Sequence, residues 1–312
     1  MNWHDFRGSD SILRLVRAEG AQAYLFLGAP GTGKKSMAAI RARAQNCTGA
    51  QKPCDACPVC RRYLAGTHPD MHVLTAEKSI GVADIRSLVD ALSMQPFEGG
   101  SHTVVIENAD KMTPQAQNAL LKTLEEPPSR VLFILVAENA QALLPTVVSR
   151  CRVVRFFPPS VEEAADALMQ RGIERDRARL LARLAGGSIG QALSLANDEA
   201  YWDIRSRALK ALLLLKGPDT VGDAALLFKN DKDSADRLLD ALENNARDIM
   251  AIRDANGNVL QEDILESLAR VPIDGAHMLQ SVFAARRRLR ANVNYQYTLE
   301  MLFFDCLGGQ KI

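Results

Sequence analysis

The fold is decided by the stretch Leu25-Phe-Leu-Gly-Ala-Pro-Gly-Thr-Gly-Lys-Lys-Ser36. An apolar run leads into a glycine-rich turn, and the helical pattern Met37-Ala-Ala-Ile40 follows it. Glycines at such a turn allow backbone N–H groups to surround phosphate oxygens at the N-terminus of a helix. The stretch therefore predicts a phosphate-binding loop between a strand and a helix.

The loop departs from the usual phosphate-binding pattern at its last position. Gly28, Gly33 and Lys34 match G-x-x-x-x-G-K-[ST], but Lys35 stands where a hydroxyl residue is expected. That hydroxyl ordinarily ligates Mg²⁺. We therefore expect a loop that can contact ATP phosphates but holds Mg²⁺ poorly, unless Ser36 reaches the metal from one place later. The predicted phosphate contacts are Gly28, Gly31, Thr32, Gly33, Lys34, Lys35 and Ser36.

Composition limits the class of protein. The chain has 312 residues, of which 47% are hydrophobic and 24% charged, values that are ordinary for a soluble globular protein of two or three domains. A net charge of +1 gives no overall attraction to DNA or to an anionic membrane. Because no apolar run approaches ~18 residues and the N-terminus does not resemble a secretory signal, we expect a cytoplasmic protein without a membrane span.

Four cysteines form a second strong signal. Cys47, Cys54, Cys57 and Cys60 follow the spacing C-x6-C-x2-C-x2-C. Four thiolates at this spacing can close a tetrahedral Zn²⁺ site, and because no coordination position stays open for water, the site is expected to be structural. Reduced surface or redox cysteines and an iron–sulfur cluster are the alternatives. The predicted zinc module covers about residues 46–62.

Strands and helices alternate in the first half of the chain. Several of the strands are almost wholly apolar, which indicates a parallel sheet covered on both faces. Helices are predicted over Ser9–Arg17 and Met37–Ala44, with Arg41 and Arg43 on the wet side of the second. The predicted strands are Gln22–Leu27, Met71–Leu74, His102–Glu107, Val131–Ala137 and Val153–Phe157.

The second half of the chain shows only helical periodicity. From residue 202 onward the pattern predicts a six-helix bundle, without any constellation of acid and base residues. The basic run Arg286–Arg290 is read as a solvated face; contact with an acidic partner or with DNA phosphate is the alternative. Gly99 and Asn256 mark predicted loops.

The end of the third predicted strand lacks the usual pair of acids. In P-loop ATPases such a strand ends in an acid that binds the metal, often followed by a second acid that activates water. Here Glu107 stands at the first place and Asn108 at the second. Because an amide cannot usefully accept a proton, Asn108 cannot serve as the base.

At this point the sequence resembles the clamp-loader subunits of bacterial DNA polymerase, which are AAA+ proteins. The resemblance covers about the first 200 residues closely and continues weakly to the end. Besides the phosphate loop and the four cysteines, it rests on Leu120-Leu-Lys-Thr-Leu-Glu-Glu-Pro-Pro128, Ser149-Arg150-Cys151, Gly186-Gly-Ser-Ile-Gly190 and Asn292-Val-Asn294.

The resemblance implies an architecture and a set of partners. The expected fold is α/β followed by all-α: an AAA+ P-loop domain over 1–157, a helical lid over 158–201 and a helical collar over 202–312. The expected partners are the other clamp-loader subunits, gamma/tau and delta. The sliding clamp and primed DNA are expected to be reached through the assembled complex.

The departures from the pattern favour the delta-prime branch over the gamma/tau motor branch. Lys35 and Asn108 are altered, the sensing threonine of the motor falls at Ala137 or Glu138, and its sensor arginine falls near Gly190. Arg150 is kept, and in the family this arginine acts on the ATP of a neighbouring subunit. The resemblance therefore implies a subunit of the DNA polymerase III holoenzyme that supplies Arg150 in trans and has no independent ATPase.

Two other readings remain open at this stage. The first is that the chain is an active motor that hydrolyses its own ATP, an interpretation that the intact Gly33-Lys34 pair supports. For Arg150 the alternative is a purely structural role as a surface cation at the C-terminus of a helix, where the helix dipole favours positive charge.

Overall fold

The computed structural model describes residues 2–3, 10–18, 20–97, 100–128, 130–254 and 257–308, so that Ser9, Gly99 and Asn256 lie outside the described residues. The chain divides into two compact units. The first comprises residues up to Glu163 together with Ser188–Gln191, and the second comprises Ala164–Gly187 and the residues from Ala192 onward. The predicted bounds at residues 158 and 202 stay predictions.

The described part of the first unit contains a sheet of five strands, all of them parallel. The strands are β1 Ala23–Leu27, β2 Met71–Leu74, β3 His102–Ile106, β4 Val131–Ala137 and β5 Arg152–Arg155. Their order in the sheet is β2-β3-β4-β1-β5. All five predicted strands and the parallel sheet are confirmed, with ends that differ from the prediction by up to two residues.

The two faces of the sheet are both apolar because successive side chains point to opposite sides. Leu25 lies beside Leu135 in the register of β1 and β4, and both belong to one buried layer. Tyr24 and Ile134, one position earlier in each strand, belong to the layer on the other face. This double burial explains why the strands appear in the sequence as continuous apolar runs.

Helices cover these faces. They are α1 Asp10–Arg17, α2 Lys34–Asn46, α3 Pro58–Leu64, α4 Val82–Leu92, α5 Pro114–Glu125 and α6 Pro145–Val148. The prediction that Arg41 and Arg43 face water is wrong, because their exposed fractions are 8% and 4%. Helix α3 was not predicted, and most of its sequence falls within the predicted zinc module.

The remaining helices build the lid and the bundle. They are α7 Val161–Met169, α8 Arg175–Leu184, α9 Ile189–Ala196, α10 Glu199–Leu214, α11 Val221–Leu226, α12 Ala235–Arg253, α13 Leu265–Ala269, α14 Gly275–Arg290 and α15 Tyr295–Leu307. The bundle has its own core, in which the rings of Phe228 and Phe303 stack with centroids 6.2 Å apart. Among the described helices, none has the length and apolar character that crossing a bilayer requires.

Two arginines of the basic run on α14 form ion pairs with neighbouring helices of the bundle. Arg286 donates to Asp240 at 2.9 Å and to Glu243 at 3.1 Å, both on α12. Arg288 pairs with Asp305 on α15 at 3.3 Å. These two arginines therefore tie α14 to its neighbours.

The start of α5 allows a test of how the local sequence stabilises a helix N-terminus. The Thr113 hydroxyl accepts the Ala116 N–H at 3.2 Å, and Pro114 occupies the first helical position, an arrangement that favours the start of a helix. Thr113→Ala removes this acceptor and should lower the free energy of unfolding by about 1 kcal/mol. Chemical denaturation measures the loss, and Thr113→Ser, which keeps the hydroxyl, should restore most of it. Equal stabilities of the Ala and Ser variants would contradict the role of the cap.

Candidate functional site

The phosphate loop lies between β1 and α2, as the sequence predicts. Gly31 and Gly33 have φ values of +72° and +86°, a left-handed conformation that side chains disfavour. Gly33 is the N-cap of α2, and the Thr32 hydroxyl donates to the Ala29 carbonyl at 2.8 Å. The local sequence therefore produces the turn that a phosphate-binding loop requires.

The ammonium of Lys34 is held by the loop itself. Its Nζ donates to the Gly28 carbonyl and to the Ala29 carbonyl, the latter at 2.6 Å. Burial lowers the pKa of Lys34, while the nearby carboxylates of Glu138 and Asp110 oppose that shift. Two of the three donors of this ammonium are therefore satisfied within the loop.

Lys35 forms an ion pair with Glu107. The Lys35 Nζ lies 2.7 Å from Glu107 Oε2, and the two side chains are 57% and 24% exposed. The pair connects the first turn of α2 with the end of β3. An ammonium thus contacts the carboxylate that would be the metal-binding acid in the P-loop pattern.

The residues after Glu107 form a short connection that holds the end of β4. Asn108 has a φ of +54° and precedes a 3₁₀ turn over Ala109–Lys111. The Asp110 carboxylate accepts the amides of Glu138 and Asn139 at 3.3 and 3.4 Å. Asp110 was not predicted from the sequence as part of the site. An acid two residues after Asn108, close to the end of β3, could have suggested it.

The glycine-rich segment at the start of α9 contacts the phosphate loop within the first unit. The Ser188 hydroxyl donates to the Pro30 carbonyl at 3.1 Å, and the Gly190 amide donates to the Gly31 carbonyl at 3.4 Å. A Cβ at Gly31 would overlap Ser188 Oγ. The contact therefore requires glycine at position 31, a constraint that the sequence motif alone did not reveal.

Arg150 lies at the surface just after α6. Its guanidinium donates to the Thr146 carbonyl at 2.8 Å and pairs with the Glu125 carboxylate at the end of α5. Its side chain is 34% exposed. Its partners among the described residues come from α5 and from residues 146–149, and the phosphate loop contributes none. Glu125 belongs to the motif Leu120–Pro128, but the sequence alone indicated no role for it.

The four cysteines converge as their spacing predicts. All four Sγ atoms lie within 4.8 Å of one another, a compact group that suits tetrahedral coordination. Backbone N–H groups point at the sulfurs: Cys54 N lies 3.3 Å from Cys47 Sγ, and Cys57 N lies 3.3 Å from Cys54 Sγ. Such donors stabilise thiolates, so the donor set fits a divalent soft metal such as Zn²⁺.

The thiols of this cluster differ in their readiness to ionise. Burial opposes ionisation of Cys57, but hydrogen bonds from the Cys60 and Thr48 amides outweigh it and lower its pKa to about 6. Burial raises the pKa of Cys60 to about 12. A bound cation would supply the stabilisation that the Cys60 thiolate needs.

The chain is similar in sequence to subunits of DNA polymerase III. A family model described as DNA polymerase III, delta subunit, matches residues 14–160. The delta' subunit of DNA polymerase III from Bacillus subtilis is 31% identical over 295 residues, covering 90% of this chain and 89% of that protein. The delta' subunit from Escherichia coli is 36% identical over 222 residues, covering 68% and 66%. The tau subunit from Escherichia coli is 34% identical over 239 residues, covering 74% of this chain but 36% of tau.

The four-cysteine cluster leads to a test of its metal content. The purified chain should carry about one Zn²⁺, and Cys57→Ser should lose it on dialysis because three thiolates cannot complete the site. Metal analysis measures the content, and Cys151→Ser, which lies outside the cluster, should keep its zinc. A full equivalent of zinc in Cys57→Ser would contradict the assignment, and an iron–sulfur absorbance would identify the alternative.

Proposed function

The chain belongs to the delta-prime family of DNA polymerase III clamp-loader subunits, and on that premise we propose that it works without hydrolysing ATP itself. In this proposal it joins gamma/tau-type and delta subunits in the complex that loads the sliding clamp on primed DNA. It offers Arg150 to the ATP of a neighbouring motor subunit. The observation that carries the proposal is the contact between Lys35 and Glu107.

The ion pair works against metal binding at the chain's own loop. Hydrolysis in P-loop proteins requires Mg²⁺ between the loop hydroxyl and the acid at the end of another strand of the sheet, here β3. Here the hydroxyl is replaced by Lys35, whose ammonium lies 2.7 Å from the Glu107 carboxylate. A divalent cation would have to displace this ammonium and would then be repelled by it. Asn108 adds no base to activate water.

The surface position of Arg150 suits action in trans. A guanidinium is always charged and presents a planar fork that matches phosphate oxygens. Its two present partners, the Thr146 carbonyl and the Glu125 carboxylate, orient it at the end of α6 while leaving a third of the side chain exposed. Such an arginine can stabilise the charge that develops on a transferring phosphoryl group.

The alternative is an active motor that hydrolyses its own ATP. The left-handed glycines and the Lys34 side chain support this reading, because the loop keeps the shape of a phosphate-binding turn. Turnover by the isolated chain separates the two functions. We expect none above background. Turnover that depends on Mg²⁺ and is lost in Lys34→Ala would favour the motor.

Replacing Lys35 tests the metal argument. Lys35→Thr supplies the missing hydroxyl and frees Glu107, so the variant should bind ATP more tightly with Mg²⁺ than without it. Fluorescence titration with an ATP analogue, with and without Mg²⁺, measures the change. Lys35→Met is the control, since it frees Glu107 without adding a hydroxyl. If Lys35→Thr binds no better with Mg²⁺ than without it, the ion pair is not what excludes the metal.

Replacing Arg150 tests the action in trans. In a clamp loader rebuilt with Arg150→Ala, hydrolysis at the neighbouring ATP should slow by ~10³ or more, the range found for arginine fingers. The rate of ATP hydrolysis stimulated by clamp and DNA should therefore fall by the part that this ATP site contributes. Arg150→Lys should not restore it, because lysine lacks the fork. Arg152→Ala, at an exposed position two residues later, is the control. Unchanged stimulated ATPase in a fully assembled Arg150→Ala complex would overturn the proposal.

A further inference from the structure

A cavity lies at the opposite edge of the sheet from the phosphate loop. Its volume is about 820 Å³, and it is lined by Gln22 before β1 and by Val131 at the start of β4. Since the strands are parallel, their starts and ends lie at opposite edges, and the phosphate loop follows the end of β1. The ends of α1 and α2 and the segment Gln51–Pro53 of the zinc module complete the wall.

The cavity is lined by positive charge. Arg17, Arg41, Lys52 and Arg130 are among its lining residues, and no aspartate or glutamate is among those that the structure describes. The whole chain carries a net charge of only +1, so this concentration is local. A concave site lined by one sign of charge focuses its field and attracts counter-ions.

Among these cations, Arg41 gives the strongest support for an anion site because it is buried. Its exposed fraction is 8%, and its guanidinium lies over the Tyr24 ring, 5.6 Å from the centroid. One terminal nitrogen donates to Gln45 Oε1 at 2.8 Å, whereas the buried Nε has no hydrogen-bond partner among the described residues. A buried charged donor without an acceptor is costly. Because Arg41 lies in the wall of the cavity, an anion bound there would offset part of that cost through its charge.

The outer cations are anchored on the zinc module and the N-terminal residues. The Arg17 guanidinium lies over the Trp3 ring, 5.1 Å from its centroid, and Trp3 Nε1 donates to the Lys52 carbonyl at 2.6 Å. Trp3 thereby holds the backbone of Lys52 beside Arg17. Arg130, just before β4, is exposed and reaches the same cavity.

We propose that this cavity binds a small multivalent phosphate anion, either the free ion or the phosphate end of a nucleotide. Three arginines supply planar donors that match phosphate oxygens, and charge-assisted bonds of this kind are the strong ones. The volume falls within the range of small-molecule sites, about 300–1,000 Å³. The site lies apart from Lys34 and needs no Mg²⁺, because its cations already neutralise the ligand.

Calorimetric titration of the full chain with inorganic pyrophosphate, without Mg²⁺, tests the proposal. The titration is made on Lys34→Ala, so that binding at the phosphate loop does not contribute. We expect one site per chain, and Arg130→Gln and Arg41→Lys should each weaken binding by about tenfold to a hundredfold, the value of a charge-assisted bond. Arg86→Gln, an equal change of charge at an exposed position of α4, should leave the affinity unchanged.

Further arms identify the source of the anion and the results that overturn the proposal. Competition by ATP would show that the cavity accepts a nucleotide, and pyrophosphate binding without such competition would restrict it to the free ion. Absence of binding to Lys34→Ala, or equal affinities for Arg130→Gln and Arg86→Gln, would overturn the proposal. Displacement of pyrophosphate by a single-stranded oligonucleotide but not by ATP would also overturn it, by assigning the cavity to nucleic acid. Because Arg130 is exposed, its variant remains informative even if Arg41→Lys fails to fold.

Discussion

The ion pair between Lys35 and Glu107 depends on the topology of the sheet. Lys35 lies in the first turn of α2, after β1, whereas Glu107 follows β3, with β4 between these two strands. Parallel strands bring their carboxyl ends to one edge, so residues 72 positions apart in the sequence meet at 2.7 Å. In P-loop proteins the same edge assembles phosphate, metal and acid. Here the scaffold is kept, and an ammonium contacts the acid.

This substitution separates two tasks that a motor subunit combines. The loop retains its left-handed glycines, but Lys34 is turned onto the loop's own carbonyls and Lys35 contacts Glu107. Arg150 is held elsewhere, by Glu125 and the Thr146 carbonyl. In the account proposed above, the chain contributes an arginine to catalysis while its own loop serves the architecture of the domain.

The parts of the fold that sequence could predict are those fixed by local pattern. The apolar runs identified all five strands, and the pair Thr113-Pro114 marks the start of α5 because a cap and a proline act within one turn. The cysteine spacing predicted the cluster that the structure brings together. Helix α3 was missed because the prolines and cysteines around it also favour turns.

What sequence could not predict depends on contacts between distant segments. Arg41 was expected to face water because helical periodicity reports an amphipathic face and not what covers it. Tyr24 and Gln45 accommodate its guanidinium, and this environment exists only after folding. The partners of Lys35 and Arg150 are hidden for the same reason, since Glu107 and Glu125 become their neighbours only through the sheet and its helices.

The central claim is that the phosphate loop of this chain does not hold a divalent metal. Its most direct test is electron paramagnetic resonance of Mn²⁺, used in place of Mg²⁺, with ATP and the isolated wild-type chain. If the loop holds no metal, adding the protein should leave the spectrum of Mn²⁺–ATP in solution unchanged. This should hold even at protein concentrations that saturate any nucleotide binding. A protein-bound Mn²⁺–ATP signal that disappears in Lys34→Ala would contradict the account.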